Sequence, residues 1–152
     1  MGTPALNSQV ITQIGFVVYD VEQTAAAYAE FFGVPMPEIH VTEAEDVAHT
    51  EYLETATPAR ARQAFIAAGS VVIELIEPDE EPSTWREFLD IHGEGVHHIA
   101  FAIEGMDQAI LELKGRGMPL IQRGNYTGGR YAYVDTLPQL KVLVELLEHD
   151  RS

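Results

Sequence analysis

The feature that most constrains the fold of this chain is an internal repeat. The segment "ITQIGFVVYDVEQTAAAY" (11–28) aligns without a gap with "VHHIAFAIEGMDQAILEL" (96–113). Two further pairs of segments align in the same order, namely 64–66 with 132–134 and 71–77 with 142–148. Because order and residue type agree at three separate places, we predict that residues 1–152 form a single domain built from two copies of one unit.

Each unit is predicted to fold as a strand, a helix and then further strands. In the first unit, the β-branched segment 10–19 is followed by Asp20, a favourable N-cap, and by a helical stretch over 21–32 that Gly33 ends. The weakly patterned region 36–58 is expected to contain a strand and a substrate-facing loop. The predicted boundaries are about 8–78 for module 1, about 82–93 for a linker helix and about 95–149 for module 2.

Charge and composition narrow the classes of partner. The chain carries 24 acidic and nine basic residues, for a net charge of −15, so its surface repels nucleic-acid backbones and anionic membranes. It contains no cysteine, which excludes disulfides, thiolate metal sites and cysteine nucleophiles. Since neither end carries a leader or a long apolar run, we expect a soluble, cytoplasmic protein that acts on a small molecule.

Two adjacent histidines open the apolar strand "GVHHIAFAI" (95–103). Side chains alternate faces along a strand, so His97 and His98 are predicted to point to opposite sides. His98 shares its face with the small residues Ala100 and Ala102, which leave room for a site. His97 falls with bulky apolar residues on the face suited to helix packing, and is predicted to be the structural histidine.

Four polar side chains occupy repeat-related positions on the roomy face: Gln13, Glu74, His98 and Glu145. Taken singly, each of them could be an ordinary hydrogen-bonded core residue. Two buried carboxylates beside an imidazole, however, require a compensating cation. The set therefore predicts a divalent metal site, and its oxygen-rich donors suit Mn, Co, Ni, Mg or Zn.

Three further residues are predicted to bind substrate. With a two-residue turn at 68–69, antiparallel pairing places Gln63 opposite Glu74 on the same face. By the repeat, Tyr131 takes the corresponding place in the second unit, and Arg130 could receive an anionic substrate. The alternatives are ordinary strand packing for Gln63 and Tyr131, and a solvated surface position for Arg130.

Three segments resemble the methylmalonyl-CoA epimerases of the vicinal oxygen chelate (glyoxalase/bleomycin resistance/dioxygenase) superfamily. They are "IELIEP" (73–78), "REFLDIHGEGVHHIAF" (86–101) and "VLVELLE" (142–148). The resemblance implies an α+β fold in which two tandem βαβββ modules form a curved mixed sheet around a central metal site. It also implies a homodimer, and the four metal ligands of the family fall on the four polar residues described above.

The chain departs from the epimerase pattern at several positions. Gln13 stands where the epimerases usually have histidine, and resembles instead some glyoxalase I enzymes with a Gln, Glu, His, Glu ligand set. The segment "YVDTLP" (133–138) replaces a stretch similar to "FLHPK". Some epimerases have a catalytic glutamate where Gln63 falls, and glutamine cannot serve as a base.

The resemblance implies a metal-dependent epimerase or isomerase that works through a metal-stabilised enolate. Glu145 is the first choice as both ligand and catalytic base, and Glu74 the second. Burial raises the pKa of a carboxylate and metal binding lowers it, so the direction of the pKa shift of Glu145 and Glu74 is open. The alternatives are a glyoxalase-I-like lyase of the lactoylglutathione lyase type and a non-catalytic small-molecule-binding module of the same fold.

Overall fold

The computed structural model describes residues 2–151. The first half of the chain contains, in order, β1 (Gln13–Val17), α1 (Val21–Phe32), β2 (His40–Val41), α2 (Glu45–Ala48), β3 (Glu51–Tyr52), β4 (Thr55–Ala56), β5 (Ala61–Ala68) and β6 (Val71–Pro78). After α3 (Thr84–His92), the second half contains β7 (Gly95–Ala102), α4 (Met106–Gly115), β8 (Leu120–Tyr126), β9 (Gly129–Val134), α5 (Leu137–Leu140) and β10 (Leu143–His149). Across residues 2–151, no helix is long and apolar enough to cross a membrane.

The strands form one mixed sheet in the order β2-β5-β6-β1-β7-β10-β9-β8-β3-β4. The repeat is visible in the pairing, because β1 is parallel to β6 just as β7 is parallel to β10. Likewise β5 is antiparallel to β6, and β9 is antiparallel to β10. The two halves meet where β1 pairs antiparallel with β7. The predicted α+β fold, a curled mixed sheet of two βαβββ modules, is confirmed.

The region 36–58, which carried little pattern in the sequence, extends both ends of the sheet. Its first strand, β2, pairs with β5 in its own half. The hairpin of β3 and β4 instead crosses to the other half, where Glu51 and Tyr52 pair with Arg123 and Gln122 of β8. Residues of the first half therefore close the far edge of the second half.

The helix ends follow from local sequence. The predicted helix over 21–32 is confirmed: Asp20 Oδ1 accepts a hydrogen bond of 3.0 Å from the backbone N–H of Gln23. Gly33 ends the helix in the left-handed conformation, with φ of 67°. In the linker, the side chain of Ser83 caps α3 in the same way.

The helices cover the two faces of the sheet unequally. On the outer face, α1 packs against β5 and β6, and α4 packs against β10. On the inner face, α3 places Trp85 and Leu89 in one apolar cluster with Val17, Ile76 and Tyr133. Leu89 is almost fully buried, which contributes about 1.5–3 kcal/mol to folding. The linker helix thus covers part of the inner face and leaves the rest open for a site.

A β-bulge in β7 corrects the prediction that His97 and His98 face opposite sides. Gly15 is paired with His98, but the next residue, Phe16, is paired with Val96, so His97 is an extra residue in β7. The bulge turns both imidazoles to the inner face, where their Nδ1 atoms lie 2.9 Å apart and both rings are fully buried. His97 therefore packs on the side opposite to the predicted one.

Gly15 makes room for the His98 ring. It lies in β1 between its two strand partners, Glu74 of β6 and His98 of β7. A Cβ atom at Gly15 would overlap the imidazole of His98. We therefore expect Gly15→Ala to lower the free energy of unfolding by about 1–3 kcal/mol, as overpacking does.

The matched control is Gly115→Ala at the end of α4, where an added Cβ meets no atom within 4 Å. This substitution should change the free energy of unfolding by less than about 1 kcal/mol. Urea denaturation of the two variants measures the difference. Equal stability of both variants would show that His98 does not occupy the space over Gly15.

Candidate metal centre

Three strands bring Glu74, His98 and Glu145 together on the inner face. Glu74 lies on β6 and His98 on β7, each beside Gly15 of the intervening β1, while Glu145 of β10 pairs with Ala100 of β7. His98 Nε2 lies 3.1 Å from Glu74 Oε1 and 3.2 Å from Glu145 Oε1. All three side chains are buried. The convergence predicted from the repeat is therefore present for these three residues.

The atoms that face one another in this cluster lack hydrogen-bond partners. Within residues 2–151, Glu74 Oε1, His98 Nε2 and Glu145 Oε1 are buried and make no hydrogen bond. One donor atom from each residue lies within 4.8 Å of the others. Two carboxylate oxygens and an imidazole nitrogen are ordinary ligands of divalent metals. The group therefore fits a metal ion.

Burial and charge act against each other in the cluster. Burial lowers the pKa of His98, but the carboxylates of Glu145 and Glu74 outweigh it and raise that pKa from 6.5 to about 10. Burial raises the pKa of Glu74, with a contribution from the negative charge of Glu145, and the contact with His98 only partly opposes this. In the metal-free protein, His98 thus carries the proton that compensates the acids.

The fourth predicted ligand, Gln13, lies on β1 at the cavity wall. It is half-buried and lines the same cavity as Glu74 and Glu145. Its side chain is on the same face of β1 as Gly15, two residues away. The structure therefore brings Gln13 to the site, where its amide could complete a ligand set.

Glu74 and Glu145 line a cavity of about 490 Å³, and His98 contacts both of them. Aromatic side chains form much of the cavity wall, including Phe65, Trp85, Tyr126 and Tyr131. Thr127, another lining residue, donates a 3.0 Å hydrogen bond from Oγ1 to Glu43, which joins the turn after β8 to the segment after β2. A small organic molecule could therefore enter and reach the two carboxylates.

Gln63 contacts the site as predicted, although by a different register. The β5–β6 turn is at Gly69 and Ser70 rather than at 68–69, so Gln63 is paired with Ile76, and Phe65 is opposite Glu74. Gln63 still shares the face of Glu74, and its Nε2 donates a 2.7 Å hydrogen bond to Glu74 Oε2. The predicted direct pairing was wrong by two residues.

Tyr131 lines the cavity, but its neighbour Arg130 does not. The Tyr131 hydroxyl accepts a 3.1 Å hydrogen bond from Gln122. Arg130 is ion-paired with Glu148 at 2.5 Å and with Asp107 at 3.2 Å. Since neighbouring residues on a strand face opposite sides, Arg130 lies on the other face of β9. Arg130 therefore lies outside the cavity that Glu74 and Glu145 line, and its binding of an anionic substrate stays a prediction.

Two histidines that line the cavity, His40 and His149, were not predicted from the sequence. His149 could have been found, because it follows Glu145 and Leu147 at the spacing of two that places all three on one face of β10. His40 had no such signal. It lies in the two-residue β2 and reaches the cavity only because β2 pairs with β5.

Comparison with known proteins is consistent with this architecture. Residues 12–134 match the glyoxalase/bleomycin resistance protein/dioxygenase superfamily, and the chain belongs to that superfamily. It is similar to the uncharacterized protein YqjC of Bacillus subtilis (strain 168), with 29% identity over 141 residues and coverage of 91% of each chain.

Two solved structures share the fold. Methylmalonyl-CoA epimerase from Mycobacterium tuberculosis has a TM-score of 0.65 at 20% identity, covering 99% of this chain and 94% of that one. A variant of Streptomyces coelicolor methylmalonyl-CoA epimerase in complex with 2-nitronate-propionyl-CoA has a TM-score of 0.62 at 24% identity, covering 93% and 97%. At these identities the likeness establishes the fold of the chain.

Substituting either acid should weaken metal binding. We expect Glu74→Gln and Glu145→Gln each to lower the affinity for Mn²⁺ or Zn²⁺ by more than about 100-fold. This loss exceeds the one that follows substitution of a residue that only hydrogen-bonds to a metal-ligating side chain. The matched control is Glu77→Gln, since Glu77 lies on β6 but pairs with Arg62 at the surface. Isothermal titration calorimetry measures all three, and equal affinities would contradict the site.

Metal binding should displace the proton of His98. Because its pKa is about 10 in the metal-free protein, and a metal-bound imidazole must be neutral, binding near neutral pH should release about one proton per ion. Calorimetry in buffers of different ionisation enthalpy counts the protons.

The same raised pKa makes the metal-free protein sensitive to alkali. Protonated His98 contributes to the free energy of unfolding. This contribution is complete below pH 6.5, the ordinary pKa of histidine, and is lost as the pH rises through about 10. Thermal melting across this range should show a falling midpoint. A midpoint that rises across it would contradict the buried pairing.

Proposed function

We propose that this protein is a metal-dependent isomerase that moves a proton next to a carbonyl group, with epimerisation as the first candidate reaction. The observation that carries the proposal is the cluster of two buried carboxylates, which line the cavity, and an imidazole in contact with both, with three unpaired atoms facing one another. Such a cluster offers both a cation site and groups that can exchange protons.

In this proposal Gln13, Glu74, His98 and Glu145 hold the ion, with the identity of the metal left open among Mn, Co, Ni, Mg and Zn. When bound, a divalent cation would supply Lewis-acid stabilisation of the negative charge that develops on the carbonyl oxygen of the substrate. The protein residues bind and orient the substrate, exclude water and move the proton.

Glu145 is the preferred base. Gln63 tethers Glu74 through Oε2, whereas no amide side chain in the described part of the chain holds Glu145 in this way. Glu145 is therefore freer to reorient toward a substrate carbon, and Glu74 is the second choice. Tyr131 and Trp85 form the adjacent wall, so apolar parts of a substrate would pack against them.

The substrate is proposed to be either a coenzyme A thioester or a glutathione adduct. The Streptomyces coelicolor neighbour in complex with 2-nitronate-propionyl-CoA favours the thioester. A specific observation favours the second candidate, a glyoxalase-I-like lyase: among the described residues, the cavity lining includes neither lysine nor arginine to receive the phosphates of coenzyme A. The Gln, Glu, His, Glu set also resembles that of some glyoxalase I enzymes.

The test is solvent deuterium exchange by the Mn²⁺-loaded protein. With methylmalonyl-CoA in D₂O, mass spectrometry should show deuterium at the carbon next to the thioester carbonyl. The glyoxalase alternative predicts that the adduct of methylglyoxal and glutathione is isomerised to the thioester. An absorbance assay measures this reaction. Whichever of the two substrates is converted identifies the reaction as epimerisation or as the glyoxalase-type isomerisation.

For the active substrate, Glu145→Gln should reduce the rate by about 10²–10⁴-fold, as loss of a general base does. Glu77→Gln serves as the control with unchanged rate. If fully metal-loaded protein neither exchanges deuterium nor isomerises the adduct, both candidate reactions are wrong, and the substrate of the metal site is open.

A further inference from the structure

We infer that His97 is a positioning residue, which accepts a hydrogen bond from His98 Nδ1 and thereby aims His98 Nε2 at the two carboxylates. The inference rests on the proposed metal site, but the experiments below read hydrogen bonding and metal affinity rather than catalysis. It concerns a residue that lies outside the predicted ligand set and does not line the cavity.

The direction of the hydrogen bond follows from counting protons. His98 Nε2 faces Glu74 and Glu145, where a bound metal ion would occupy its lone pair. The ring is then neutral, and its remaining proton must be on Nδ1. In the metal-bound protein His98 Nδ1 is therefore the donor, and His97 Nδ1, 2.9 Å away, is the acceptor.

The rest of the chain of contacts agrees with this assignment. With its Nδ1 acting as an acceptor, neutral His97 carries its proton on Nε2, which lies 3.3 Å from Thr84 Oγ1 at the start of α3. The backbone N–H of Thr84 donates a 2.8 Å hydrogen bond to Gln122 Oε1, and Gln122 Nε2 donates to the hydroxyl of Tyr131. One polar network therefore runs from the metal ligand to the cavity wall.

The surroundings of His97 keep it neutral. The edges of Phe88 and Tyr133 lie against its ring, with centroids 5.2 Å and 5.1 Å away. The ring is fully buried among these side chains, and burial disfavours the charged form of an imidazole. A neutral imidazole can accept the hydrogen bond of His98, whereas an imidazolium could not.

The β-bulge is what makes this contact possible. Regular alternation would place His97 on the outer face, away from His98. The extra residue in β7 instead lets both rings share the inner face. His98 can thus act as the metal ligand while the adjacent His97 orients its ring. Around metal-bound histidines, this orienting role is commonly filled by carboxylates and backbone carbonyls.

The first experiment uses the wild-type protein loaded with Zn²⁺. Long-range ¹H–¹⁵N spectra of the histidine rings should show His97 as a neutral ring with its proton on Nε2. His98 should carry a proton only on Nδ1. A proton on His97 Nδ1 in the loaded protein would overturn the inference.

The second experiment compares Zn²⁺ affinity among variants. His97→Phe preserves the ring and its packing but removes the acceptor, and should lower the affinity by about 10–100-fold, the range for partners of metal-bound histidines. His97→Asn places a carbonyl oxygen near the position of Nδ1 and should recover most of the affinity. His92→Phe, which removes an exposed histidine at the end of α3, should bind as the wild type does.

Melting temperatures of the metal-free variants separate stability from positioning. If His97→Phe and His97→Asn are both folded and lose affinity equally, or if neither loses it, His97 does not act as a hydrogen-bond acceptor for His98. Should His97→Phe fail to fold, the ring spectra of the wild-type protein decide the question. Because neither readout uses a substrate, failure of the proposed reaction leaves both results interpretable.

Discussion

The structure depends on one energetic constraint: a buried imidazole lies between two buried carboxylates. Moving these charges out of water costs several kcal/mol per ion unless they are compensated. Two carboxylates and one imidazolium still leave one negative charge, whereas a divalent cation beside a neutral imidazole cancels both acids. Gly15 leaves space for the His98 ring, and the bulge in β7 supplies His97 as its partner. Both features therefore serve this cluster.

Much of the fold could be predicted because the repeat and strand alternation are local signals. The alignment of the two halves anticipated the symmetric pairing of β1 with β6 and of β7 with β10. Alternation placed Glu74, His98 and Glu145 on one face, and burial of acidic side chains in apolar strands indicated a common partner. These inferences need only the period of a strand and the order of the repeated segments.

The rest depends on contacts between distant segments, which leave no periodic trace in the sequence. The bulge that turns His97 inward appears only in the register between β7 and β1. The crossing of the β3–β4 hairpin to β8 joins residues about seventy positions apart, and β2 brings His40 to the cavity by pairing with β5. The ion pairs of Arg130 could not be predicted either, because its carboxylate partners, Asp107 and Glu148, lie on other elements.

A crystal structure of the protein grown with Mn²⁺, with anomalous scattering recorded for the metal, tests the central claim most directly. We expect one strong anomalous peak on the inner face, within coordinating distance of His98 Nε2 and of an oxygen of each of Glu74 and Glu145. A structure in which Mn²⁺ binds only elsewhere, while Glu74, His98 and Glu145 keep the mutual distances of the metal-free protein, would contradict the central claim.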